Sequence, residues 1–277
     1  MQTSALAFYS VVACSLAAVA WLMAQPLWRR WQRSRLRAGV FPAAWRKVLR
    51  QRVPLYARLP ADLQLRLRQD MLVFLAEKPF LGCAGLQVTD EMRVMVAALA
   101  CMPLLGARRA YYPELQRILL YPDAFVAREH QVGDDGVHSE GLRGLAGQSW
   151  AQGQVLLSWS DVQQGAADPA DGSNVVIHEF AHQLDQAKGF ANGAPLLKDR
   201  QAYRCWSAVM QSEYDALHQR LEMGEEGLIC AYAATDPAEF FAVCSELFFE
   251  RARELAAQHP RLFAELKTYY RINPLSW

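Results

Sequence analysis

NVVIHEFAHQLDQ, residues Asn174 to Gln186, places two histidines and a glutamate inside an apolar run, and the reading of this stretch decides the fold. Asp171, Gly172, Ser173 and Asn174 are loop and capping residues, and Val175 to Leu184 then supplies an apolar run suited to a buried helix. His178 and His182 are four residues apart. On a helix that spacing stacks both imidazoles on one face, where neutral ring nitrogens can take two corners of a tetrahedral zinc site. Glu179 sits beside them to handle a proton, which makes the pattern HExxH, that of zinc peptidases. The competing reading is a helix with two core histidines satisfied by hydrogen bonds. It would bury His, Glu and His among Ile177, Phe180, Ala181 and Leu184 with no metal to compensate them, which is costly.

A catalytic zinc needs a third protein ligand and one open position. A GxxH continuation would supply a third histidine, but Asp185 and Gln186 lead into AKGFANG, which has none. Downstream, AYAATDPAEFFAVCSELFFERA (Ala231 to Ala252) offers Glu239 and Glu246, seven residues apart and therefore two turns apart on one helix face with Phe240, Val243 and Leu247. One can be the ligand and the other its support. Asp236, Pro237 and Glu239 also read as N-cap, first and third helical residues, so Asp236 and Glu239 could simply form a capping box. Glu246 could equally be a buried carboxylate bonded to backbone. Asp185, one turn after His182, could orient a ligand histidine or end the helix as a solvated carboxylate.

The 277-residue chain is 52% hydrophobic, enough for one large domain or two small ones, and 29 Lys and Arg against 28 Asp and Glu give no basic field that would argue for nucleic acid. Six cysteines without a CxxC pair read as reduced core residues. Ala5 to Ala24 carries no charge for 20 residues, and as a helix rising ~1.5 Å per residue it would span a ~30 Å hydrocarbon core. Arg29, Arg30, Arg33, Arg35 and Arg37 follow it, with Trp21, Trp28 and Trp31 near the boundary, as where a span leaves the bilayer on the cytoplasmic side. A cleaved signal peptide competes, but MQTS lacks the positive charge that such a signal carries. A hydrophobic helix packed within the fold is the other alternative. The organisation expected is a membrane anchor over 1–28, a basic juxtamembrane linker over 29–45 and a peptidase domain over 46–277.

The rest reads as α+β. Helices are expected from Pro60 to Phe80, from a Thr89 cap to Met102, from Asp199 to Met223, from Pro237 to Ala257 and from Arg261 to Tyr270. Short β-like runs cover Arg117 to Tyr121, Asp123 to Ala127 and Gln154 to Val162, with a long Gly- and Asp-rich loop from Gln131 to Gly147. The alternating QVLLSW is either an edge strand for an extended peptide or an ordinary core strand.

HEFAHQLD, with AGQSWAQGQVLLSW upstream and AYAATDPAEFFAVCSELFF downstream, resembles the Mlc titration factor A family of zinc-dependent peptidases over roughly residues 80–274. The downstream block is also similar to a stretch of the anthrax lethal factor catalytic domain. The resemblance implies a zincin-like fold with a small sheet and an HExxH helix, zinc held by His178, His182 and Glu239, Glu179 as general base, and Tyr232 over the metal. It further implies action on short peptides, with aminopeptidase and endopeptidase modes both open, and binding of a glucose-responsive transcription repressor. Tyr232 would donate a hydrogen bond to the developing oxyanion; a core aromatic is its competing role. The hydrophobic N-terminal segment departs from the family's founding cytoplasmic member. The expected location is the bacterial inner membrane, single-pass with the catalytic domain cytoplasmic, against a soluble cytoplasmic or secreted alternative. A regulatory binding protein that sequesters a repressor, with zinc mainly structural, is the second functional class; an intact Glu179 favours the enzyme, because a structural site needs no general base.

Overall fold

The structure, a computed structural model, describes residues 2–106, 111–123 and 153–277. The expected strand beyond Asp123, the loop over 131–147 and the whole of AGQSWAQ (146–152) lie outside the described residues. The chain forms two compact units, residues 1–40 and 41–277. The first is a single helix, α1 (Gln2–Arg37), which continues through the arginines read as the start of a linker. Its Trp28 and Trp31 rings stack at 4.9 Å, and the Arg35 guanidinium lies 4.9 Å over Trp31. Among the described residues no helix is long and apolar enough to cross a membrane, so the structure lends the expected transmembrane anchor no support. Ala13, Ala17, Ala18, Ala20 and Ala24 thin the apolar surface of the run, and arginines occupy the last turns of the same helix.

The second unit runs α2 (Ala43–Arg52), α3 (Pro54–Arg58), α4 (Ala61–Glu77), β1 (Phe80–Gly82), α5 (Asp90–Cys101), β2 (Arg117–Tyr121), β3 (Gln154–Ser158), α6 (Trp159–Ala167), α7 (Val175–Asp185), α8 (Arg200–Glu222), α9 (Pro237–Glu250), α10 (Ala252–Gln258) and α11 (Pro260–Tyr270). It is mostly helical with a small sheet, as an α+β reading requires. The three strands are parallel in the order β1-β2-β3, with Phe80 opposite Ile118 and Ile118 opposite Val155.

Local hydrogen bonds overrule two of the expected boundaries. The β-like run from Gln154 to Val162 stops at Ser158, whose Oγ accepts from the Asp161 N–H at 3.3 Å and so caps α6. The helix expected from Pro237 to Ala257 breaks at Arg251, whose backbone (φ −119°, ψ 40°) is not helical.

The packing fixes which way the HExxH helix faces. Val176, Ile177, Phe180 and Ala181 of α7 are fully buried, and the Phe180 ring meets Phe74 at 5.6 Å and Tyr112 at 4.8 Å. Burying a side chain of that size stabilises by about 1.5–3 kcal/mol, so this aromatic contact holds the opposite face, with both histidines, turned toward α9. α9 is buried at every position from Ala238 to Glu250. A helix buried on every side belongs in a core. Its aromatic neighbours include Trp206, 5.5 Å from Phe241, and Tyr270, 5.3 Å from Phe248.

Candidate metal centre

α9 carries three buried carboxylates, Glu239, Glu246 and Glu250. A buried charge is expensive unless it is paired and hydrogen-bonded, so the partners of each define what the region is built to do.

Glu239 begins as a capping residue and ends as something else. Asp236 caps α9 twice, its Oδ1 accepting from the N–H groups of Ala238 at 2.8 Å and Glu239 at 2.9 Å. The Glu239 carboxylate turns to α7: Oε2 lies 2.9 Å from His178 Nε2 and 3.5 Å from His182 Nε2. The two ring nitrogens are 3.2 Å apart. His178, His182 and Glu239 thus converge on one point, the third corner arriving from a residue 61 positions along the chain.

The other nitrogen of His178 is already spoken for. Its Nδ1 lies 2.7 Å from Glu246 Oε1, and Glu246 Oε2 accepts from the Asn174 N–H at 2.5 Å. With Glu246 Oε1 accepting at Nδ1, the ring hydrogen of a neutral His178 sits on Nδ1 and the lone pair on Nε2. Nε2 then faces the Glu239 carboxylate, an acceptor opposite an acceptor, and a cation between them satisfies both. In the metal-free protein that cation is a proton. Burial works against a charged His178, but its hydrogen bonds to Glu239 and Glu246 outweigh this and raise its pKa to about 10. Burial likewise works against the Glu239 carboxylate, yet its bonds from His178 and His182 hold it far below the ordinary range.

A zinc ion fits this donor set. Two imidazole nitrogens and a carboxylate oxygen are zinc ligands, and bonds of ~2.0–2.1 Å in a tetrahedron set ligand atoms about 3.3 Å apart. The observed separations of 2.9, 3.2 and 3.5 Å bracket that edge.

The remaining sequence-predicted residues surround this point. Glu179 follows His178 on α7, half-buried, and its charge acts on that imidazole. Tyr232 sits in a 3₁₀ turn over Ala231–Ala234, its ring 5.9 Å from the His178 ring and tilted 36° to it. Asp185 ends α7, and its Oδ2 accepts from the N–H groups of Asn192 at 2.8 Å and Gly193 at 2.7 Å. Burial pushes its pKa up, against these bonds and the nearby His182. Gly193 has a left-handed backbone (φ +73°), and a Cβ there would lie 2.2 Å from the Pro237 carbonyl oxygen. Asp185 thereby pins a loop from the end of α7 against the first turn of α9, two residues before Glu239.

Two participants escaped the sequence reading. Glu250, whose Oε1 accepts from Asn174 Nδ2 at 2.9 Å, lies four residues after Glu246 and was legible as an extension of the same helix face. Asn174 was read only as a cap; its bonds to α9 had no local signal.

The family model for glucose-regulated metallo-peptidase M90 matches residues 28–271. A protein of Synechocystis sp. is 38% identical over 266 residues, 96% of this chain and 97% of that one. The Mlc titration factor A proteins of Klebsiella pneumoniae subsp. pneumoniae and of Yersinia pestis are 34% and 33% identical over 236 and 237 residues. These alignments take in 84% of this chain and 87% and 86% of theirs.

Proposed function

The chain belongs to the glucose-regulated metallo-peptidase M90 family, and from that premise we propose that it is a zinc-dependent peptidase with His178, His182 and Glu239 as ligands and Glu179 as general base. The observation that carries the reading is the encounter of two ring nitrogens and a carboxylate oxygen at a point from which Glu246 draws the ring hydrogen of a neutral His178 away to Nδ1. Zinc, when bound, supplies a Lewis acid that polarises the scissile carbonyl and lowers the pKa of a water. Glu179 accepts the proton of the attacking water and delivers it to the leaving amine. Tyr232, beside the His178 ring, donates its hydroxyl hydrogen to the oxygen on which negative charge develops. Asp185 and the loop it pins keep the first turn of α9, and so Glu239, in register with the histidines.

The test measures zinc stoichiometry and cleavage of short peptides by the parent and by Glu179→Gln. The variant should keep one zinc and lose turnover. Equal turnover in parent and variant would remove Glu179 from the mechanism.

The relatives' name favours a second activity: a titration factor removes something by binding it. A regulatory partner of that kind, a transcription repressor, is part of the proposal for this chain, to be read by a pull-down with Glu179→Gln, which separates binding from cleavage. Membrane attachment through residues 1–28, with the peptidase unit facing the cytoplasm, rests on the charge order of the sequence and on the exposure of Leu16, Trp21 and Leu22 in α1. Recovery of the full chain in the soluble fraction would dispose of it.

A further inference from the structure

Asn174 is 1% exposed and bonds to three helices at once. Its Oδ1 accepts from the Ile177 N–H at 3.2 Å, which caps α7. Its Nδ2 spends one hydrogen on the Gly165 carbonyl of α6 at 3.0 Å and the other on Glu250 Oε1 of α9 at 2.9 Å. Its main-chain N–H donates to Glu246 Oε2 at 2.5 Å, and its carbonyl accepts from the His178 N–H at 2.9 Å. The contact with α6 is close enough that a Cβ on Gly165 would lie 3.1 Å from Asn174 Cα, so the backbone here has little room to shift.

A cap needs only the side-chain oxygen, and serine or aspartate supplies one as well as asparagine does. The two amide hydrogens do something else: they tie the 174 backbone to α6 and to the last turn of α9. That backbone N–H is what holds one oxygen of Glu246, leaving the other for His178 Nδ1 at 2.7 Å.

We propose that Asn174 is a positioning residue for the metal centre: its side-chain amide fixes the main-chain donor that orients Glu246, which keeps the hydrogen of His178 on Nδ1 and its Nε2 free for the ion. The proposal rests on the zinc reading of the site. It predicts that removing the two amide hydrogens weakens metal binding even when the cap survives. Loss of an outer partner of a metal ligand typically costs ~10- to 100-fold in affinity, and that is the range expected here.

The experiment uses the full chain and reads zinc affinity by chelator competition, together with the visible spectrum of the cobalt-substituted protein, which reports ligand geometry. Asn174→Ser keeps a cap oxygen and removes both donors; it should lose ~10- to 100-fold in affinity and shift the cobalt bands. Asn174→Asp should do the same, and adding Glu250→Gln to it should restore much of the loss, because the introduced amide donates to the introduced carboxylate. Parental affinity and an unchanged cobalt spectrum in folded Asn174→Ser would overturn the proposal and reduce Asn174 to a cap. A parent chain that holds no zinc would instead overturn the zinc reading, and the positioning role with it. If Asn174→Asp does not fold, the serine variant decides.

Discussion

The two ends of α9 bury carboxylates in opposite ways. At the far end, Glu246 and Glu250 meet donors: main-chain and side-chain N–H groups of Asn174 and the Nδ1 hydrogen of His178. At the near end, Glu239 meets the Nε2 atoms of two histidines, one of which has its hydrogen committed elsewhere. At the far end Glu246 is bonded through both oxygens by the chain alone, while Glu250 is bonded through Oε1 and keeps a buried Oε2 without a partner among the described residues. At the near end a cation would join the carboxylate to the ring nitrogens, so on the proposed reading the same residue type on one helix serves as scaffold at one end and as ligand at the other.

The largest effect should follow from emptying the near end. Glu239→Ala removes one of three protein bonds to the ion, and zinc should be lost on dialysis. Full zinc in Glu239→Ala with an empty site in Glu246→Ala would exchange the roles of the two ends.

Next in size is the pH dependence of the metal-free protein. His178 is raised from 6.5 to about 10, so the stability its proton lends is full below pH 6.5 and is lost as pH rises toward 10. Glu250, pushed up by burial from 4.5 to about 8, acts in the same direction; its contribution is present below pH 4.5 and gone above 8. Glu239, held low, loses its contribution only on acidification below about its unfolded value. In chelator, unfolding free energy should fall between pH 6.5 and 10, on the order of a few kcal/mol at ~1.4 kcal/mol per pKa unit. Saturating zinc should flatten the His178 part, because the ion takes the place of the proton. Metal-free protein as stable at pH 10 as at 6.5 would mean that the near end demands no cation.

Glu246→Ala comes third. It should retain measurable zinc with ~10- to 100-fold weaker affinity, since His178 loses its orienting partner and keeps its lone pair. The smallest effect is expected from Asp236→Ala, which removes the cap of α9. About 1 kcal/mol of stability should go, read by denaturant unfolding, with zinc content unchanged. Zinc loss in this variant would show that the cap, and not the Glu239 carboxylate alone, sets the near end.

The three converging residues were legible because each left a local trace: four-residue spacing for His178 and His182, and a carboxylate on an apolar helix for Glu239. The choice between Glu239 and Glu246 was open in spacing alone, since both lie on one face. Asp185 was legible as a residue of interest but not in its contacts, because it binds main-chain N–H groups that every residue possesses. Asn174 declared its cap and hid its amide, whose partner Glu250 is 76 residues away. In the fold, the helices followed from apolar periodicity, whereas β1 is three residues long, too short for any period to register. The apolar run of α1 was read as a bilayer span because hydrophobicity specifies burial without naming the solvent, and among the described residues no helix meets the length and apolarity that a span needs.

The 61-position separation of His178 and Glu239 also sets a timetable. At ~5–20 residues per second, a ribosome makes both histidines about 3–12 s before the third donor exists. Glu246, which holds His178 directly, and Glu250, which bonds Asn174, come later still. During that interval this cluster holds only two of its three converging donors, both imidazoles. On the proposed reading, selection of the ion would therefore belong to the end of synthesis, when α9 docks against α7 and closes the set.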